Sequence, residues 1–192
     1  MKRIILGILL LNSVLALSQG KSELSFSVTT GENEMIMFHA LDGAATHRGN
    51  GFFSLNMHYR KPINKWLDFE SGLAFAHHRV VVEPLSIYDI LPIKDEMYVA
   101  SIPIGVKINF LRYFFVNAGA LVDMDFTLSN HLDNQSGIGA SLGAGAIYRF
   151  DSGIGIFAMP CIRMHSLIPF TMGNYHERLL ESGIQIGISY RL

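Results

Sequence analysis

Residues 97–128, MYVASIPIGVKINFLRYFFVNAGALVDMDFTL, alternate apolar and polar positions so strictly that few folds can accommodate them. In the first half Tyr98, Ala100, Ile102, Ile104, Val106, Ile108 and Phe110 share one side, against Ser101, Pro103, Gly105, Lys107 and Asn109. In the second half Phe114, Val116, Ala118, Ala120, Val122, Met124 and Phe126 oppose Asn117, Gly119, Asp123 and Asp125. A period of two is the signature of a β-strand, whose successive side chains point to opposite faces. The two runs, joined through 111–113, predict a hairpin whose register keeps apolar opposite apolar. The apolar face is too long for a sheet facing water, and the other face carries charges that a soluble core would reject. A strand crossing a lipid bilayer satisfies both conditions.

The same test finds six further strands. Leu24, Phe26 and Val28 alternate with Glu23, Ser25 and Ser27; Phe53, Leu55, Met57 and Tyr59 with Ser54, Asn56, His58 and Arg60. Leu67, Phe69, Leu73 and Phe75 alternate with Asp68, Glu70 and Gly72, and after the central hairpin Ile138, Leu142 and Tyr148 with Gly139, Gly143 and Arg149. The seventh strand is less regular, setting Ile154, Ile156 and Ile162 against Phe157, Met159, Cys161, Arg163 and His165. The eighth sets Ile184, Ile186, Ile188 and Tyr190 against Glu181, Gln185, Ser189 and Arg191. Connections alternate long and short: 31–50, 61–65, 78–95, 111–113, 129–136, 151–153 and 166–178. An eight-stranded antiparallel up-and-down transmembrane β-barrel has this rhythm, with short periplasmic turns, longer outer loops and both termini periplasmic. Hydrocarbon tolerates no unpaired strand edge, so the last strand must pair with the first. Glu23 is then expected beside Ser189 and Arg191. Tyr59, Trp66, Phe110, Phe114, Tyr148, Phe150 and Tyr190 flank the short turns, where an interfacial aromatic girdle belongs.

Residues 1–18 read as a cleaved signal peptide, with Lys2 and Arg3 before a short apolar run and small residues Ala16 and Ser18 at its end. The barrel domain is then 19–192. Without Lys2 and Arg3, 13 of the 15 basic residues face 16 acidic ones, a charge of −3 that gives no basic surface for nucleic acid. The single Cys161 excludes an internal disulfide and a paired-cysteine metal site. The scattered histidines have no ligand spacing, so neither metal nor cofactor is expected.

Aligning the strands on their turns sorts the inward charges by height. Glu23, Arg60, Asp68, Glu70, Lys107, Arg149 and Arg191 fall near the periplasmic end, and Asp123, Asp125, Arg163, His165 and Glu181 towards the outside, with small residues such as Gly72, Gly105 and Gly143 between. An eight-stranded interior is just wide enough for side chains to fill it, so these charges are expected to form a paired lumen network. A narrow gated pore between the two layers is the alternative. Asp123 and Asp125, near His165, are expected to serve Arg163 rather than activate water. His77 falls on the lipid face near the outer rim, where a lipid-modifying enzyme would need a serine that nothing supplies. His78 and His176 are expected to be solvated loop residues. The apolar patches 35–38 and 85–93 would extend strands above the membrane or contact a partner protein.

IPIGVKINF, running on through YFFVNAGALV, resembles the outer-membrane β-barrel domain family of Bacteroidetes-type bacteria, the porin-like or PorT-like group. Ile102, Pro103, Lys107 and Phe110 are similar to that family's strand ending in a short turn, and 117–120 to its return strand. The C-terminal GIQIGISYRL is similar to its closing strand, although it ends in Leu192 rather than an aromatic residue. The resemblance implies a small integral outer-membrane protein, surrounded by lipid and inserted by the barrel-assembly machinery. Most members have no established activity, so the resemblance carries little function; the chain itself is expected to have a structural or partner-binding envelope role, with an envelope partner met through the outer loops. For some members the resemblance implies a component of a secretion apparatus. No catalytic residue is implied, and the chain is expected to be monomeric.

Overall fold

The computed structural model describes residues 21–37, 46–83, 93–127, 132–171 and 176–192; the expected signal peptide lies outside them. Eight strands follow in order: β1 (Glu23–Met37), β2 (Thr46–Pro62), β3 (Leu67–Glu83), β4 (Ile93–Phe110), β5 (Phe114–Asp125), β6 (Gly137–Arg149), β7 (Ile154–Pro169) and β8 (Glu177–Arg191). Each pairs antiparallel with its chain neighbours, and β8 returns to β1, closing the barrel. The closure sets Glu23 opposite Arg191 and Ser25 opposite Ser189.

Over most of its height the barrel is inverted relative to a water-soluble protein. Phe26, Leu55, Leu73, Phe75, Ile104, Leu142, Ile162 and Ile186 point outward and exposed, whereas Arg60, Glu70, Lys107, Arg163 and Glu181 are buried inside. Only a hydrocarbon surrounding favours that arrangement, and closure leaves no edge unpaired within it. The seven residues of the expected girdle beside the short turns are all exposed, with Phe110 stacked on Phe114 and Tyr148 packed edge-on against Phe150.

The strands run further outward than the sequence pattern suggests. Segments 31–50 and 78–95, expected as loops, contribute the ends of β1 and β3 and the starts of β2 and β4. The physical reason is a reversal of sense. Above the lipid belt Val80, Met97, Val99 and Leu179 point inward and are buried, with Met35 and Leu132 packed on them, while Glu32, Glu34, Arg48, Arg79, Lys94 and Glu96 are exposed outside. There the barrel wall is a soluble β-structure with an apolar core, so a test for apolar residues on the lipid face fails at the point where the strand leaves the membrane. Residues 38 and 85–92 of the two apolar patches lie outside the described residues.

One turn is locally strained. Leu111 and Arg112, between β4 and β5, have φ of 47° and 62°, the left-handed region that favours Gly and Asn. The double substitution Leu111→Asn, Arg112→Gly is expected to stabilise the barrel by about 1–2 kcal/mol, read as a rise in the urea unfolding midpoint.

Candidate functional site

The interior is built in tiers. At the end of the barrel that carries the short turns Arg60 lies between two carboxylates: its Nη1 donates to Glu23 Oε1 at 2.6 Å and its Nε donates to Glu70 Oε2. The pairing follows from register, because Arg60 stands opposite Glu23 on β1 and opposite Glu70 on β3. Arg149 crosses the lumen to Glu23 Oε2 at 3.1 Å, and Arg191 reaches the same oxygen only at 4.0 Å from a half-exposed position. Asn117 Nδ2 donates to Glu70 Oε1 at 3.3 Å, and His58 Nδ1 lies 3.5 Å from that oxygen. Asp68 makes no ion pair among the described residues; it accepts from Asn109 Nδ2 at 2.7 Å at the open mouth. Expected in the network, Asp68 sits at its rim, as does Arg191.

Lys107 is fully buried, and its Nζ has no hydrogen-bond partner but sits 4.0 Å from the centroid of the Phe115 ring. Around it are two carboxylates, Glu23 and Glu70, already matched by Arg60 and Arg149. The lysine charge is therefore surplus. Lys107→Met keeps the volume and removes a buried, unmatched charge, so the unfolding midpoint is expected to stay within about 1 kcal/mol of wild type or to rise.

On its β5–β7 side this tier is walled by apolar residues, with the Arg60 guanidinium 5.4 Å over the Phe157 ring as Lys107 lies over Phe115. Phe115, Ile147, Phe157, Met159 and Cys161 form a buried cluster. The small residues expected between the charged layers make room for it: a Cβ on Gly143 would lie 2.6 Å from Met159 Sδ, and one on Gly187 2.8 Å from Phe157 Cζ. The alternation already places Phe157 and Met159 inward. Their size was the missing signal.

Next comes Arg163. Its Nη2 donates to Asn56 Oδ1 and Gln185 Oε1, both at 3.1 Å, and to Thr29 Oγ1 at 3.3 Å; its Nη1 donates to Ser54 Oγ at 3.3 Å. Nη1 is also 3.5 Å from Glu181 Oε2. The other oxygen of Glu181, Oε1, meets His165 Nε2 at 2.9 Å and His78 Nε2 at 3.2 Å. His165 Nδ1 in turn faces Asp123 Oδ1 at 3.1 Å, and Ser101 Oγ donates to the same oxygen at 2.6 Å.

Three expectations are corrected here. Asp123 serves His165, not Arg163. Asp125 belongs to no lumen ion pair among the described residues: at the end of β5 its carboxylate accepts the backbone N–H of Thr127 and of Gln135, each at 2.7 Å, and so ties down the returning segment. His78 is not a solvated loop residue, because β3 continues past it and the even positions of that strand face inward. His176 is half-buried, its Nε2 within 2.9 Å of Ser166 Oγ.

At the end away from the short turns a segment that periodicity does not reveal packs inside the barrel. Gln135 is buried, donating through Nε2 to Glu177 O at 2.9 Å and accepting from Leu179 N at 3.0 Å, while Leu132 packs against Met97, Val99 and Leu179. Between the tiers lies a cavity of about 30 Å³, lined by His58, Glu70, Asn117, Arg163 and His165 among others, while a wider space of about 370 Å³ opens at the short-turn mouth beside Glu23, Arg149 and Arg191. The smaller volume is the share of one water molecule.

On the outer face His77 stacks on Tyr98 at 4.8 Å between ring centroids, and its Nε2 lies 3.4 Å from Glu96 Oε2. No serine hydroxyl contacts this group among the described residues. No set of three metal-ligating side chains is placed to hold an ion among them either.

A closed eight-stranded barrel with a lipid-facing belt and a paired, charged interior is the construction of small outer-membrane proteins. Solved structures carry the same fold. The outer-membrane protein AlkL, determined in lipid bilayers by solid-state NMR, superposes with a TM-score of 0.59 at 13% identity, over 91% of this chain and 92% of that one. OprG from Pseudomonas aeruginosa superposes with a TM-score of 0.50 at 12% identity, over 91% of this chain and 97% of that one. Comparison with protein-family models and with curated proteins returns no match.

Proposed function

We propose that the chain is a closed, non-conducting barrel of the bacterial outer membrane, with both termini periplasmic, that has a structural or partner-binding role at the envelope and no catalytic activity. The observation that carries this reading is the packed interior, in which the cavity between the charged tiers is only about 30 Å³ and the buried Gln135 ties its segment to β8. The extensions of β1 to β4 above the lipid belt offer charged outer surfaces to an envelope partner. The alternating strands and the closing strand 183–192 support membership of the Bacteroidetes-type porin-like group, insertion by the barrel-assembly machinery and a monomer surrounded by lipid.

A narrow gated pore is the competing reading. Purified protein in planar lipid bilayers is expected to give no conductance steps above background. Steps that disappear when Lys107 and Arg149 are neutralised would replace the closed barrel with a pore gated by the periplasmic tier.

A further inference from the structure

We propose that the outward face of β2 to β4, just above the lipid belt, binds the phosphorylated headgroup of an outer-leaflet glycolipid. Arg48, Arg79 and Lys94 are exposed there on three successive strands. Arg48 and Lys94 both stand opposite Val81, two residues along β3 from Arg79, so the three cations surround one position. Like charges on neighbouring strands repel and lower stability unless something between them carries the opposite charge. No ion pair or side-chain hydrogen bond engages any of the three among the described residues. Glu96, opposite Arg79, is occupied from below, where its Oε2 accepts from Tyr98 Oη at 2.8 Å and faces His77 Nε2.

Two further observations point the cluster at a membrane lipid. The first is a β-bulge. The register of β2 against β3 shifts between Gly49 and Phe52, with Gly51 at φ 86°, and the shift changes which residues of β2 face outward. Below the bulge the odd positions Phe53, Leu55 and Met57 face lipid; above it Gly49 pairs with the inward Val80, so Arg48 turns outward beside Arg79. The second is height. Phe53 and Tyr98 stand on either side of His77 in one outward row, with Phe75 one pair lower and stacked on Tyr98, and the cations begin directly above that row at Arg79. A lipid with acyl chains along Phe75 and Leu55 would carry its phosphates to that level, and guanidinium groups match phosphate oxygens in a bidentate fashion.

Placing the site in the outer leaflet rests on the periplasmic termini proposed above; the binding itself is tested independently of orientation and of conductance. Barrel folded in detergent would be titrated with bisphosphorylated lipid A, dephosphorylated lipid A, phosphatidylglycerol and inorganic phosphate, and bound lipid counted by native mass spectrometry. The expected result is an adduct with bisphosphorylated lipid A, weakened at least tenfold in the double variant R79E/K94E and unchanged in K65E at the periplasmic end. R48Q/R79Q/K94Q, which reverses no charge, is expected to weaken it as well, and heat-dependent migration on gels would establish that each variant is folded. Equal binding of dephosphorylated lipid A or of phosphatidylglycerol, full competition by inorganic phosphate, or an adduct indifferent to both variants would each overturn the proposal.

Discussion

Arg60→Ala is expected to destabilise the barrel by about 3–5 kcal/mol, the cost of breaking a buried ion pair by removing one partner. Arg60 is buried and bonded to Glu23 and Glu70 at once, and Glu70 has no other charged partner at comparable distance. Removing the guanidinium leaves Glu70 beside a cavity of only about 30 Å³, whereas Glu23 also borders the wider space at the mouth. Glu23 keeps Arg149, so most of the cost falls on Glu70. Trp66, the only tryptophan in the chain, sits in the exposed girdle and reports unfolding in urea through its fluorescence. The triple variant Arg60→Met, Glu23→Gln, Glu70→Gln removes the charges together and is expected to recover most of the loss. An unchanged midpoint in Arg60→Ala would mean that the tier is hydrated and the pairing unimportant.

A second large effect is expected on the opposite side of the same wall. Ile186 lies midway along β8, more than half exposed, between Val28 on β1 and Ala158 on β7. In water an exposed isoleucine can become arginine at little cost. At the bilayer midplane the same change costs about 2–4 kcal/mol. Ile186→Arg should therefore unfold at clearly lower urea in liposomes. Glu32→Arg, also outward but above the belt, is expected to shift stability by no more than about 0.5 kcal/mol. Equal effects at the two sites would remove the lipid boundary from where the exposed residues place it.

The barrel was legible in the sequence because each membrane strand repeats one rule, and because closure follows from that rule without knowledge of any contact. Glu23 opposite Arg191 is its direct consequence. Heights were legible for the same reason, since strands aligned on their short turns bring Glu23, Arg60, Glu70 and Arg149 to one tier. Partner choice within a tier was not. Whether Asp123 meets Arg163 or His165 depends on side-chain reach across the lumen, which no pattern along one strand encodes. The outer extensions were missed because the rule changes sense there: Val80 and Met97 are buried as in a soluble protein, although the strands carrying them continue unbroken. Asp125 continues the inward set of β5, yet its strand ends at that residue and the carboxylate turns to backbone N–H groups instead.

The central claim is a wall with lipid on one side and a filled interior on the other, and β8 offers the cleanest place to measure both. In a Cys161→Ala background, single cysteines would be placed from 184 to 189 and treated with a bulky aqueous maleimide, and fluorophores at the reactive sites would be quenched with brominated lipid. The account predicts strong lipid quenching at Ile184, Ile186 and Ile188, and no aqueous reaction at Gln185 or Ser189 in the folded protein. Aqueous reaction along the odd positions would show an open lumen, and loss of the even and odd difference would contradict the membrane-spanning barrel itself.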